Sequence, residues 1–119
     1  MKKIIHADNS EFFRKLMKNF LQAEGFEVES FDSALDAGLT IGGGSGDMVI
    51  MGLTFAEMEG VEFLKKLVED FTVPVIVVSS SVDKKKGEEL LALGARAAFN
   101  KSGPWKDELK PHLSALKGT

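Results

Sequence analysis

Apolar residues recur along this chain in two rhythms. Short continuous runs at Lys3–Ala7 (KIIHA), Met48–Met51 (MVIM) and the VIVV after Val73-Pro74 predict buried strands. Phe26–Phe31 (FEVESF) alternates apolar with polar residues, and Ala97–Phe99 (AAF) reads as a last strand. Between these runs the period lengthens to that of a helix. Phe13, Leu16, Met17, Phe20 and Leu21 form one stripe opposite Lys15, Lys18 and Gln22. Val61, Leu64, Leu67 and Val68 form another, and Leu109, Leu113 and Leu116 a last one. Two shorter helices are predicted, SALDAGL and a segment ending LLALG.

Polar and small residues punctuate the elements. Asp8, Asn9 and Ser10 can cap the first helix, and Asp32 and Ser33 the second. Gly25 stands where a helix end favours a left-handed residue. Ile41–Gly46 (IGGGSG) reads as a flexible loop, Leu53–Gly60 as a connection, and Gly103-Pro104 as a break. Two features resist the pattern. Pro111 falls inside the last stripe, where a missing donor should kink or delay the helix. Gly38 leaves the second helix poorly specified.

Strand then helix, five times over, predicts an α/β fold with a parallel sheet covered on both faces. Right-handed crossovers leave few topologies, of which the doubly wound, flavodoxin-like order 2-1-3-4-5 suits this length. In such sheets the working crevice lies at the carboxyl ends of the strands.

Composition narrows the classes. The 119 residues suit a single domain, 1–119, with no effector domain attached. A net charge of −3 argues against nucleic acid or an anionic membrane as partner. The absence of cysteine excludes a disulfide scaffold, thiolate metal ligands and a cysteine nucleophile. The apolar run before Asp8 is too short for a signal peptide or a membrane span, so a cytoplasmic location is expected.

The residues following the strands are Asp8 and Asn9, then Gly52, then Ser79 and Ser80, then Lys101. Taken singly they have plain readings: helix caps, strand-end polar residues, a solvated lysine. His6 reads as a packed core residue, Glu57 and Glu59 as an exposed loop, and Lys84–Lys86 as a solvated face or a partner surface. Trp105 reads as packing against the last helix, with a contact role as the alternative. GGGSG lacks the Lys-Ser/Thr of a phosphate loop and precedes a strand.

Taken together, four segments in order carry a resemblance. IIHADNSEFFRKLMKNFLQAEGFEV, GDMVIMGLTFAEMEGVEFLKKL, VPVIVVSS and ALGARAAFNKSG resemble the receiver domain of bacterial response regulators, from Lys3 to about Lys117. The resemblance implies a carboxylate cluster that binds Mg²⁺. It also implies an aspartate that takes a phosphoryl group from a kinase histidine, with a hydroxyl and a lysine to steady that group. Asp8 and Asn9 match the two acidic positions, Ser79 the hydroxyl, Lys101 the lysine, and Gly52 the nucleophile. Ala56 and Ser102 replace two loop prolines, and Ala98 replaces the aromatic switch residue.

Glycine has no side chain with which to form an acyl phosphate. The expectation is therefore a degenerate pseudo-receiver with no catalytic residues and no cofactor. Mg²⁺ binding should be weak, at Asp8, or absent, and Lys101 should turn to Asp8. The resemblance implies contact with a histidine kinase or a downstream effector, or a homodimer, through Asp83–Lys117. Lys84, Lys85, Lys86, Arg96, Ala98 and Trp105 are the face candidates. Two alternatives stand beside this. One is a phospho-switch with a displaced acceptor, Asp8, Asp47 or Glu57. The other is a small flavodoxin-like enzyme, for which no nucleophile–base pair, metal cluster or flavin signature is visible.

Overall fold

The structure, a computed structural model, describes residues 1–119. The apolar runs form strands β1 (Lys3–Ala7), β2 (Glu27–Phe31), β3 (Met48–Met51), β4 (Val75–Ser79) and β5 (Ala97–Asn100). All pair in parallel, in the order β2-β1-β3-β4-β5. Helices α1 (Glu11–Ala23), α2 (Ala34–Gly42), α3 (Gly60–Asp70), α4 (Lys84–Ala92) and α5 (Trp105–Lys117) connect them. No helix is long and apolar enough to cross a membrane.

Side chains alternate across a strand, so the sheet builds two cores. Ile5, Ala7, Val49, Met51, Val75 and Val77 face Phe63, Leu64, Leu67 and Leu90. Ile4, Met48, Ile50, Ile76 and Val78 face Phe13, Met17, Leu21, Leu109 and Leu113. Burial on both faces is why the central strands read as unbroken apolar runs. Each Val, Ile, Leu, Met or Phe side chain among them contributes about 2 kcal/mol when fully buried.

The caps follow the local chemistry. Ser10 Oγ accepts from Phe13 N at 3.1 Å and Ser33 Oγ from Asp36 N at 3.2 Å. Gly25, just past α1, has φ 96°, the left-handed conformation expected there.

Four expectations are corrected. The segment Ile41–Gly46 is not all loop: α2 runs through Gly42 because Ile41 continues the buried stripe of Ala34 and Ala37. Val68 is 39% exposed, and Phe63 takes its place in the core of α3. Pro111 neither breaks nor delays α5, which starts six residues earlier and is held by buried Leu109, Leu113 and Leu116. Trp105 is 5% exposed, so it does not belong to a contact face. Its ring packs edge-on against Phe13 and Phe20 of α1, at centroid distances of 5.1 and 5.5 Å.

Candidate functional site at the carboxyl ends of the strands

β1 delivers Asp8 to the carboxyl edge of the sheet. Asp8 N donates to Phe31 O at 2.9 Å, and Arg14 Nη1 donates to Asp8 O at 2.8 Å, which fixes the backbone here. The carboxylate is 1% exposed. Its Oδ1 accepts from Ser10 N at 2.8 Å, so Asp8 steadies the start of α1 as well.

Lys101, just past β5, reaches the same carboxylate. Its Nζ stands 2.9 Å from Oδ2 and donates to Oδ1 at 3.2 Å. Oδ2 has the ammonium as a near neighbour but no aligned hydrogen bond, so the directed bond is the one to Oδ1. The ammonium also lies over the Phe13 ring, 4.3 Å from its centroid. That range is favourable for a cation on an aromatic face.

Gly52 completes the arrangement from β3. Its N donates to Ala7 O at 2.9 Å. A Cβ on Gly52 would stand 2.8 Å from Asp8 Oδ2 and 3.4 Å from Asp8 Cγ. The Asp8 carboxylate therefore occupies the space that any side chain at Gly52 would claim.

The other strand-end residues do not join this cluster. Asn9 is exposed. Ser79 is buried, but its hydroxyl pairs with Ser81 Oγ at 3.0 Å and accepts from Ser81 N at 3.2 Å. Lys101 N reaches Ser79 through the backbone, donating to Ser79 O at 3.3 Å.

Residues 4–112 match the response regulator receiver domain family. The chain belongs to that family. This receiver domain is 32% identical over 110 residues to the glycerol metabolism activator of Pseudomonas putida, covering 87% of this chain and 49% of that protein. It is 27% identical over 107 residues to protein-glutamate methylesterase/protein-glutamine glutaminase 2 of Anaeromyxobacter dehalogenans (strain 2CP-C), covering 88% of this chain and 31% of that protein. The chain thus spans about a third to a half of the length of these curated relatives. Its fold matches a Francisella response regulator receiver domain with a TM-score of 0.88 at 20% identity, covering 98% of this chain and 96% of that one. It also matches a receiver domain protein (CheY-like) of Methanospirillum hungatei JF-1 with a TM-score of 0.87 at 24% identity, covering 99% and 95%. Receiver domains serve two-component signalling, are in general not catalytic, and interact with histidine kinases and effectors.

The donor set of this receiver does not fit a Mg²⁺ ion. Such an ion needs several hard oxygen ligands, and here the one buried carboxylate already carries an ammonium. No three His, Cys, Asp or Glu side chains converge anywhere in the chain. Asp47 lies at the far end of β3, where its Oδ2 accepts from Lys3 N at 2.8 Å.

Glu57 lies in the exposed connection that its sequence context predicts, and its carboxylate is bonded there. Its Oε1 accepts from Ala34 N, from Leu35 N at 3.2 Å and from Ser33 Oγ at 3.3 Å. Desolvation opposes its ionisation. The bonds from its own amide, from those two α2 amides and from Ser33 outweigh that and hold its pKa below the ordinary carboxylate value. Glu59 is exposed and caps nothing through its side chain.

Asn100 is a residue that sequence reasoning missed. Its Nδ2 donates to Val82 O at 2.7 Å and Ser80 O at 3.3 Å, while its Oδ1 accepts from Ser102 N at 2.7 Å. It staples the β4–α4 loop to the end of β5. The only sequence signal was a polar residue closing an apolar strand.

The face candidates divide. Lys84 and Lys85 are exposed on α4. Lys86 is half-buried, donates its N–H to Asp83 Oδ1 at 2.7 Å and pairs with Glu89 at 3.4 Å. Arg96 is exposed at the opposite end of β5 from Lys101, and Ala98 is partly buried on that strand.

Proposed function

We propose that this receiver is a pseudo-receiver, a contact module of two-component-type signalling that works without phosphorylation. The observation that carries the reading is the closed triad of Asp8, Gly52 and Lys101. Phosphoryl transfer needs an oxygen nucleophile in line with the leaving group, and a cation to neutralise the transferring charge. Gly52 offers hydrogen where that oxygen would stand. Asp8 and Lys101 neutralise each other at 2.9 Å, a distance of full charge pairing. The Ser79 hydroxyl is engaged with Ser81, and Ala98 has no ring to move between two states. The pocket therefore holds one arrangement instead of switching between two.

In this reading residues 1–119 act as one cytoplasmic unit without enzymatic activity. They engage a histidine kinase or an effector through α4, β5 and α5, with Lys84, Lys85, Arg96 and Ala98 as contacts. A displaced acceptor finds less support. Asp8 is buried and paired, Glu57 is spent on α2, and Asp47 is at the wrong end of the sheet.

The test is incubation of the chain with acetyl phosphate and Mg²⁺, followed by intact mass. The expected result is an unchanged mass. A stable phosphoryl adduct overturns the reading, and peptide mapping of that adduct would identify the acceptor.

A further inference from the structure

Helix α2 carries two leucines that nothing in the chain covers. Leu35 and Leu39, one turn apart, are 61% and 68% exposed. They border a groove of about 270 Å³ between α2 and α3, with Met58 and Phe71 also lining it. Between the leucines, the bare Gly38 backbone would meet only Phe63 at 3.6 Å if it carried a Cβ, so the helix surface is low there. Single exposed leucines are ordinary, but an apolar groove flanked by two on one helix face marks a contact surface.

The α3 rim of the groove identifies what the surface fits. Lys66 and Asp70 both line it. Four residues apart, they share one face of α3. They do not pair with each other or with any other residue. The ion pair of α3 is instead Lys65–Glu62 at 3.6 Å. The rim thus presents an unpaired cation and an unpaired anion side by side. A rim of that kind is its own complement when α3 is set antiparallel to a second α3 about a twofold axis. Lys66 of one copy then faces Asp70 of the other, and the reverse pair forms by symmetry.

We infer that the α2–α3 groove is an isologous homodimer face, with Leu35 and Leu39 of each copy seated against the groove of its partner and two equivalent Lys66–Asp70 pairs at the rim. The contact is confined to helices of nine and eleven residues. That places it near the lower limit of specific interfaces, about 1,000 Å² in total, so the dimer is reversible and concentration-dependent. None of these residues lies within Asp83–Lys117, so dimerisation leaves that face free for another protein.

Sedimentation velocity of the full chain over a range of concentrations tests this. The wild type should show a monomer–dimer equilibrium. Lys66→Asp and Asp70→Lys should each weaken it by about tenfold or more, because each creates two like-charge contacts. Mixing these two variants should restore a dimer, and so should the double swap Lys66→Asp/Asp70→Lys. Leu39→Arg should abolish the dimer. All three positions are exposed, so far-UV circular dichroism should stay unchanged. A chain that is monomeric at every concentration overturns the inference. So does a dimer that survives Leu39→Arg, or one indifferent to both charge reversals.

Discussion

At the scale of single residues, the Asp8–Lys101 pair is unequal. Asp8 is 1% exposed and Lys101 22%, so the two ends have different recourse to water when the pair is broken. Lys101→Met strands a buried carboxylate and should cost about 3 kcal/mol. Asp8→Asn leaves an ammonium that can swing outward and should cost about 1 kcal/mol. Urea denaturation of both variants checks the order, and equal losses would contradict the asymmetry. Gly52 invites the complementary experiment. Gly52→Asp puts a Cβ 2.8 Å from Asp8 Oδ2, so the Asp8 carboxylate must shift to admit it. Two crowded carboxylates then repel each other, which favours cation uptake. Mg²⁺ should raise the Tm of Gly52→Asp and leave that of the wild type where it is. No Mg²⁺-dependent shift in the variant would mean that more than one side chain separates this pocket from a metal site.

At the scale of elements, the carboxyl-end segments are held by side chains from neighbouring elements. Glu57, from the β3–α3 connection, satisfies two of the orphan amides at the start of α2, beside the cap from Ser33. Asn100, at the end of β5, fastens the β4–α4 loop by donating to its carbonyls. Glu57→Gln keeps the shape but removes the charge from the helix N-terminus, where an anion is favoured. Amide exchange at Ala34 and Leu35 should then quicken while that of α4 is unaltered. Because the folded pKa of Glu57 is depressed, its stabilising effect is present above the unfolded pKa and fades as pH falls through the folded one. Uniform exchange rates in the variant would show that Ser33 alone holds the end of α2.

At the scale of the whole molecule, the largest dependence of stability on pH should come from one residue at the centre of the sheet. His6 is fully buried, has no hydrogen-bond partner on either ring nitrogen, and packs 5.9 Å from the Phe13 ring. Burial is the main reason its pKa falls from 6.5 to about 4; Asp8 opposes the shift, and Lys101 and Arg14 add to it. The unfolded chain binds the proton more readily, so stability is full above pH 6.5 and is lost as pH falls towards 4. The shift corresponds to about 3 kcal/mol. Denaturant midpoints between neutral pH and pH 4 should fall accordingly, and His6→Val should flatten that slope. A wild-type profile without the slope would mean that His6 is charged in the folded state.

The alternation of buried runs with amphipathic stripes was enough to determine five strands and five helices and to leave few orders for the sheet. Side-chain periodicity is a local property, and right-handed crossovers restrict what it can build. The lack of a side chain at the end of β3 was likewise plain from Gly52 alone. What the tertiary structure decided was which polar groups meet. The Asp8–Lys101 pair is the exception, expected from the resemblance and borne out across 93 residues because the parallel topology carries both to one edge of the sheet. Glu57 is exposed as expected, but nothing near it in sequence reveals that α2 begins beside it and takes its carboxylate. Trp105 was read as packing against the last helix, yet it opens that helix and is buried by the packing of α5 on α1. Local pattern determines which face of an element is apolar, but the pairing of charges and caps depends on distances that exist only after the sheet has formed.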